Sequence, residues 1–362
     1  MASNSFGKIF KITTFGESHG KETGVVIDGC PAGLEIDEEY INQALTLRAG
    51  GKSNYTTPRK ETDDAEIMSG VFEGKTTGAP ICIIIKNQDA ESSKYEPIKD
   101  ILRPGHANFT YLKKYGIFDY KGGGRASARE TAARVAAGAV ALKFLEQNGI
   151  LVSAYLKQVG NIAATIPASF EILEKNIMLS PIFCPDIEAS SKMTLLIEQV
   201  KEEGDSIGGI VEFVILNAVT GLGSPVYEKL EAILASAMMS IPATKGFEIG
   251  DGFEAALKKG SEHNDLFVKT EFGIETSTNH AGGIQGGLST GMPIIGRVAF
   301  KPASSIMKSQ NSLTVDGKPS IFTLPEGSRH DPCVAIRAVA VVKAMAAIVL
   351  ADALLCNRSS RC

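Results

Sequence analysis

Val334-Ala335-Ile336-Arg337-Ala338-Val339-Ala340-Val341-Val342-Lys343-Ala344-Met345-Ala346-Ala347-Ile348-Val349-Leu350-Ala351-Asp352-Ala353-Leu354-Leu355 carries three charges, Arg337, Lys343 and Asp352, in an otherwise apolar run free of glycine and proline. It reads as one long helix. A helix apolar on every side has no solvent face, so this one is expected to lie buried, between two layers or in a subunit contact. The rest of the chain must supply what covers it.

Working outward, Gly24-Val25-Val26-Ile27-Asp28, Ile81-Cys82-Ile83-Ile84-Ile85 and the alternating Val211-Glu212-Phe213-Val214-Ile215 read as strands. A second helix is expected over 127–147. Ser127 and Glu130 have capping-box spacing, Val135, Ala139 and Leu142 form a stripe, and Gly149 suits a C-terminal cap. A third, over 227–241, carries Leu230, Ile233, Leu234, Ala237 and Met238 at helical spacing and stops at Pro242. The chain is therefore mixed α and β. Its 362 residues are enough for two domains at roughly 150 each. No linker, repeat or low-complexity run divides them, so residues 1–362 are expected to form one domain.

Composition narrows the partners. Lys and Arg number 37 against 41 Asp and Glu, a net charge of -4, which offers no basic field for a nucleic-acid backbone. The uninterrupted apolar runs 81–85 and 344–351 fall short of the roughly 18 residues a bilayer span needs, and Met1-Ala2-Ser3-Asn4-Ser5 lacks a signal-peptide core. No membrane partner and a cytoplasmic location are expected. Six cysteines, Cys30, Cys82, Cys184, Cys333, Cys356 and Cys362, contain no C-x-x-C pair and read as reduced thiols, with no metal site.

Glycine is in excess, 37 residues, clustered beside His, Arg and Ser. Two segments superficially like phosphate-binding loops, at Gly51-Lys52-Ser53 and Gly70 to Thr76, fail on spacing, and no G-x-G-x-x-G follows a strand. His19 and His106 each stand beside glycine in a polar loop, and His330 precedes Asp331. Imidazole titrates near neutrality, so each is either a candidate general acid or a solvated loop histidine. Gly122-Gly123-Gly124-Arg125 leads into a helix N-terminus, where free N–H groups and the dipole attract anions. With Arg48, Arg103, Arg129, Arg329 and Arg337 added, the pattern suits a small, multiply anionic ligand, with surface ion pairs as the alternative. The cluster Asn279 to Gly287 and the segment Lys301-Pro302-Ala303-Ser304-Ser305 could approach a flat, phosphate-bearing ligand or merely turn the chain into a strand. The residues alone leave open a catalytic protein, a non-catalytic anion binder and an ATP-using phosphotransferase.

Six motifs, in order along the chain, carry a resemblance. Phe15-Gly16-Glu17-Ser18-His19-Gly20, Arg103-Pro104-Gly105-His106-Ala107, Gly122 to Thr131, Gly204-Asp205-Ser206-Ile207-Gly208-Gly209, Asn279-His280-Ala281-Gly282-Gly283 and Arg329-His330-Asp331-Pro332-Cys333 resemble the monofunctional chorismate synthase family. The resemblance implies an α+β fold, a β-α-β sandwich with helices layered between antiparallel sheets, assembled as a homotetramer. It implies a lyase that converts 5-enolpyruvylshikimate 3-phosphate to chorismate by 1,4-elimination of phosphate. The cofactor implied is reduced FMN (FMNH2), without net redox change, supplied by an external flavin reductant. By motif, His106 would protonate the departing phosphate and His19 would hold a proton at the flavin N1 and O2 side. Asp331 with Ser18 would relay the proton taken from the substrate ring at flavin N5. Arg48, Arg103, Arg129 and Arg329 would bind the substrate anions. Arg125, Ala126, Ser127, Ala243, Gly286, Lys301, Pro302, Ala303, Ser304, Ser305 and Arg329 would line the flavin. Asn54, Ala126, Pro242 and Ala303 depart from the family pattern and bear on affinity, and the loop 309–325 is a candidate cover for the site.

Overall fold

The computed structural model describes residues 3–51, 55–57, 62–88, 92–271 and 273–361. Asn54, Lys52 and Cys362 lie outside the described residues. The first sheet contains β1 (Ser5–Phe6), β2 (Lys11–Gly16), β3 (Glu22–Asp28), β4 (Ala65–Ser69) and β7 (Ile81–Lys86), in the order β1-β2-β3-β7-β4, with every pairing antiparallel. The ribbon β5 (Val71–Phe72) and β6 (Lys75–Thr76) adjoins it in sequence. The second sheet contains β8 (Leu151–Val159), β9 (Ile162–Ala163), β10 (Gly209–Leu216), β11 (Thr244–Ile249) and β16 (Ile294–Phe300), in the order β11-β16-β10-β8-β9 and again antiparallel throughout. Three further ribbons are β12–β13 (Phe267–Thr270, Gly273–Thr276), β14–β15 (Ile284–Gln285, Leu288–Ser289) and β17–β18 (Gln310–Leu313, Pro319–Phe322).

The α-helices among the described residues are α1 (Glu38–Arg48), α2 (Asn108–Tyr115), α3 (Thr131–Gln147), α4 (Phe170–Leu179), α5 (Ile187–Glu202), α6 (Leu230–Met239), α7 (Gly260–His263) and α8 (Val334–Asn357), of which α1, α3, α6 and α8 matter for the interior. Helix α3 packs on β3 and β7 of the first sheet, α8 packs on β8 and β10 of the second, and α3 and α8 lie against each other. The order is sheet, helices, sheet, as the resemblance implies. The long helix lies between two layers because it has no polar face to turn outward: from Ala335 to Leu354 nearly every side chain is buried. By length and apolarity α8 would pass for a membrane span. In fact 83% of its most apolar window is buried inside the protein, so it is a core helix.

Small residues bring α3 and α8 together. Gly138 on α3 meets Ala344 on α8 so closely that a Cβ added to the glycine would stand 2.3 Å from the Ala344 Cβ. The first sheet turns Ile12, Val25, Ile27, Ile83 and Ile85 inward and alternates with more exposed positions, the pattern of a sheet covered on one face. On the far side of the second sheet, α4 (Phe170–Leu179) places Leu173 and Ile177 against Tyr155 and Val214.

Some boundaries differ from the sequence reading. The capping-box segment at Ser127 does not open the α-helix directly. Ser127 caps a 3-10 turn, Ala128–Glu130, by accepting from the Arg129 N–H at 3.3 Å, and α3 begins at Thr131. Helix α6 starts at Leu230, three residues late, after an extended cap at Lys229. The stretch 309–325 is not an open loop: it forms the ribbon β17–β18, and Phe322 and Leu324 pack on Ile98.

The charges on α8 have specific partners. Asp352, buried, accepts from the backbone N–H groups of Lys8, Ile9 and Phe10 at 3.0, 2.7 and 3.0 Å and so ties the start of the chain to its end. Asp352→Ala leaves three donors without that acceptor and is expected to cost about 3 kcal/mol. The measurement is the urea midpoint; an unchanged midpoint would show that water replaces the carboxylate.

Candidate active site

The site is assembled where the β2–β3 loop, the glycine turn before α3 and the loop ahead of α8 meet. The triple glycine has a steric reason. A Cβ on Gly122 would stand 2.3 Å from His19 Cδ2 and 2.9 Å from Ser18 Oγ, and one on Gly123 would stand 3.2 Å from His106 Cε1. Both glycines also have positive φ, 64° and 83°. The two histidines therefore abut consecutive residues of one turn.

His19 pairs its Nδ1 with Ser92 Oγ at 2.9 Å and meets Tyr95 edge-on, with ring centroids 5.4 Å apart. Among the described residues His106 has no hydrogen-bond partner at its buried Nδ1. Burial, aided by Arg103 and Lys301, pushes its imidazole down to about 3, so it is neutral at pH 7. Lys301 donates to Ser304 Oγ at 2.5 Å and to the Gly105 carbonyl at 3.2 Å, and Ser304 Oγ donates to the same carbonyl at 2.6 Å. The segment 301–305 is thus docked on the His106 turn. Arg103 reaches Ser305 Oγ at 2.5 Å.

Two adjoining cavities share the wall residues Tyr95, Arg329 and His330. The first is also walled by His19, Arg103 and Ser305, the second by Ser18, Arg48, Ser127, Arg129, Asp331 and Arg337. In the second, Asp331 accepts from the Thr57 N–H at 2.8 Å and from Arg337 at 2.9 Å, while Arg337 Nε donates to the Arg48 carbonyl at 2.9 Å. Arg48 and Arg129 both donate to the buried carboxylate of Asp63. Burial, together with Arg337 and Arg129, lowers the Arg48 guanidinium to about 10 against the pull of Asp63, and it stays charged at neutral pH. His330 is held below its usual value by burial, with Asp331 opposing, and its Nδ1 is unpartnered.

Several expected wall residues stand elsewhere. Arg125 does not present its guanidinium to either cavity. It donates to Gly16 O, Thr14 O and Thr14 Oγ1 at 3.2, 3.3 and 2.8 Å and braces β2. Ala126 lies in the 3-10 turn Gly124–Ala126. Ala243, at φ 71°, accepts from the Lys301 N–H at 2.9 Å. Gly286 is at the tip of β14–β15, with open space around it. Pro302 and Ala303 are held from behind: Ser206 Oγ donates to the Ala303 carbonyl at 2.7 Å, and Ile207 N donates to the Pro332 carbonyl at 2.9 Å. The glycine-serine segment 204–209 therefore bridges the two loops that form the site. His106 lines neither cavity and adjoins them through Arg103 and the glycine turn. His280 lines neither cavity and pairs with Asp251 at 2.9 Å and Lys258 at 3.1 Å.

Asp63, Asn87 and Tyr95 were not singled out from sequence. Asn87 bonds the carbonyls of Glu17 and Gly20 and accepts from Arg129 Nε at 2.6 Å, which fixes the His19 loop against the arginines. The residues present also suit a flavin. Among the described residues, Ser18 Oγ, Arg48 Nε and His330 Nδ1 are buried at these cavities without hydrogen-bond partners, and the polar edge of a flavin can satisfy such groups.

A layered α+β fold with basic side chains converging on two pockets, and two histidines at one turn beside them, defines an enzyme for a multiply anionic substrate. The family model for chorismate synthase matches residues 10–355. A chorismate synthase of Protochlamydia amoebophila is 57% identical over 99% of each chain, and one of Synechocystis is 53% identical over 97% of each. A chorismate synthase crystal structure superimposes with a TM-score of 0.76 at 34% identity, covering 97% of this chain and 92% of that one. The chain belongs to the chorismate synthase family. Its activity is that of a carbon–oxygen lyase in the shikimate pathway, with 5-enolpyruvylshikimate 3-phosphate as substrate and a flavin as cofactor.

Proposed function

We propose that residues 1–362 work as one domain that forms chorismate from 5-enolpyruvylshikimate 3-phosphate by 1,4-elimination of phosphate and a ring proton, with reduced FMN and no net redox change. The observation that carries this reading is the meeting of His19 and His106 on consecutive glycines, beside cavities walled by Arg48, Arg103, Arg129 and Arg329. When bound, reduced FMN supplies an electron-rich, anionic ring system. Ser127, Ser305 and Arg329, with the segment 301–305 behind them, are the residues that would hold it.

The chain's own groups then divide the work. Arg48, Arg103, Arg129 and Arg329 bind and orient one phosphate and two carboxylates. His106 gives a proton to the departing phosphate oxygen. Burial, aided by Arg103 and Lys301, keeps His106 neutral, and a phosphate bound among them offsets the two charges and raises the imidazole toward the protonated form. His19, steadied through Nδ1 by Ser92 and by the Tyr95 ring, holds a proton at the cofactor side. Ser18 and Asp331 line the same cavity and relay the proton removed from the ring. The enzyme works as a homotetramer in the cytoplasm, its flavin reduced by an external partner. Phe253, Leu257, Leu266, Phe267 and Ile274, all exposed, provide apolar surface suited to burial between subunits.

The test is phosphate release together with chorismate absorbance under anaerobic conditions, with and without chemically reduced FMN. Both products, dependent on reduced FMN, are expected. A folded protein that binds FMN and forms neither product would refute the assignment.

A further inference from the structure

Asp63 lies just before β4, its side chain wholly buried and its backbone in the left-handed region at φ 56°. A non-glycine residue persists there only where its surroundings fix it. One carboxylate oxygen takes Arg48, the last residue of α1, and the other takes Arg129, from the turn ahead of α3. The two guanidiniums arrive from different elements and both wall the second cavity. Without an anion between them they would repel at close range in a site of low dielectric.

Their remaining donors are unequally committed. Arg129 is locked, with Nε on Asn87 Oδ1 at 2.6 Å and NH2 on the Lys86 carbonyl at 3.0 Å. Among the described residues, Arg48 has only long contacts from NH1, 3.4 Å to Ala128 O and 3.5 Å to Thr131 Oγ1, and its Nε has no partner. Two buried arginines sharing one aspartate are a costly way to stabilise a fold, since desolvation offsets most of the attraction. They make sense as a preassembled anion site.

We propose that Asp63 is the positioning residue for substrate-anion binding, clamping Arg48 against the immobile Arg129 so that the free donors of Arg48 face the second cavity. This rests on the assignment of Arg48 and Arg129 to the substrate made above. Asp63 touches no reacting atom; it acts through the two arginines.

The test compares Asp63→Asn with the wild-type enzyme in steady-state kinetics and in calorimetric titration of 5-enolpyruvylshikimate 3-phosphate. The expected result is a KM and Kd for substrate raised about 10- to 100-fold. The kcat should fall far less, and the Kd for FMN should stay within about twofold, as for a group that acts on substrate binding alone. Asp63→Glu, which restores the charge, should recover part of the loss. A folded Asp63→Asn with wild-type KM overturns the proposal, as does an equal loss of FMN and substrate affinity. Should Asp63→Asn fail to fold, Asp63→Glu decides: a raised KM upholds the proposal and an unchanged one overturns it. Failure of both to fold makes Asp63 a determinant of the fold and overturns it too. Wild-type enzyme that neither binds nor converts the substrate refutes the functional assignment itself; wild-type turnover with an indifferent Asp63→Asn refutes this inference alone.

Discussion

His106→Ala is expected to slow turnover about 10²- to 10⁴-fold, the contribution of a well-placed general acid, while FMN binding stays nearly intact. The imidazole lies beside Gly123, Arg103 and Lys301, with Nδ1 unpartnered, so its removal breaks no hydrogen bond at that nitrogen. The loss should therefore fall on kcat. Turnover unchanged in the variant would remove His106 from the acid role. Stability offers a second readout with a definite sign. In the folded enzyme the imidazole is pushed down to about 3 from 6.5, so below pH 6.5 the unfolded chain takes up a proton that the folded one does not. That stability is fully present above pH 6.5 and is lost as pH falls toward about 3. A single proton is worth about 1.4 kcal/mol per pH unit. Denaturation between pH 6 and 4 should accordingly be less pH-dependent in His106→Ala than in the wild type; parallel curves would contradict the depressed value.

Gly138→Val should abolish folding, and Gly138→Ala should weaken it. The Cβ of alanine would stand 2.3 Å from the Ala344 Cβ and 2.6 Å from its Cα, and the second of these is backbone that cannot rotate away. Overpacking of this kind costs about 3 kcal/mol, against a helix-propensity gain for alanine of about 1 kcal/mol. The clash wins, leaving a net loss of about 2 kcal/mol for alanine and much more for the larger, β-branched valine. Thermal melting of purified Gly138→Ala and the soluble yield of Gly138→Val check this. A melting temperature for Gly138→Ala at or above the wild-type value would show that α3 and α8 can move apart at no cost.

The burial of α8 is legible in its sequence because twenty-odd residues without a polar face leave one solution. The three strands read from 24–28, 81–85 and 211–215 also fall within observed ones. The site is legible to the extent that a motif binds its residues together, as at Ser18-His19 and Gly122 to Ser127. Asp63 could not be read that way. It sits in Glu61-Thr62-Asp63-Asp64, a charged stretch that looks solvated, and its burial depends on arginines from two other elements. Tyr95 and Asn87 are equally solitary in sequence. Arg125 shows the opposite failure: a motif locates its backbone at the site, while the open carbonyls and hydroxyl of β2 decide where its guanidinium goes.

The helix that fills the interior is also the last element in chain order. Every strand of the second sheet is synthesised before it, so the apolar face bearing Leu156 and Val211 emerges from the ribosome with its main covering still to be made. The first sheet can dock on α3 early, whereas the second must wait for α8. The decisive contacts join residues hundreds of positions apart, as between Asp352 and the segment from Lys8 to Phe10, which makes closure a late and entropically demanding event. Newborn chains of this enzyme therefore pass through an interval of exposed apolar surface during which chaperones compete with aggregation.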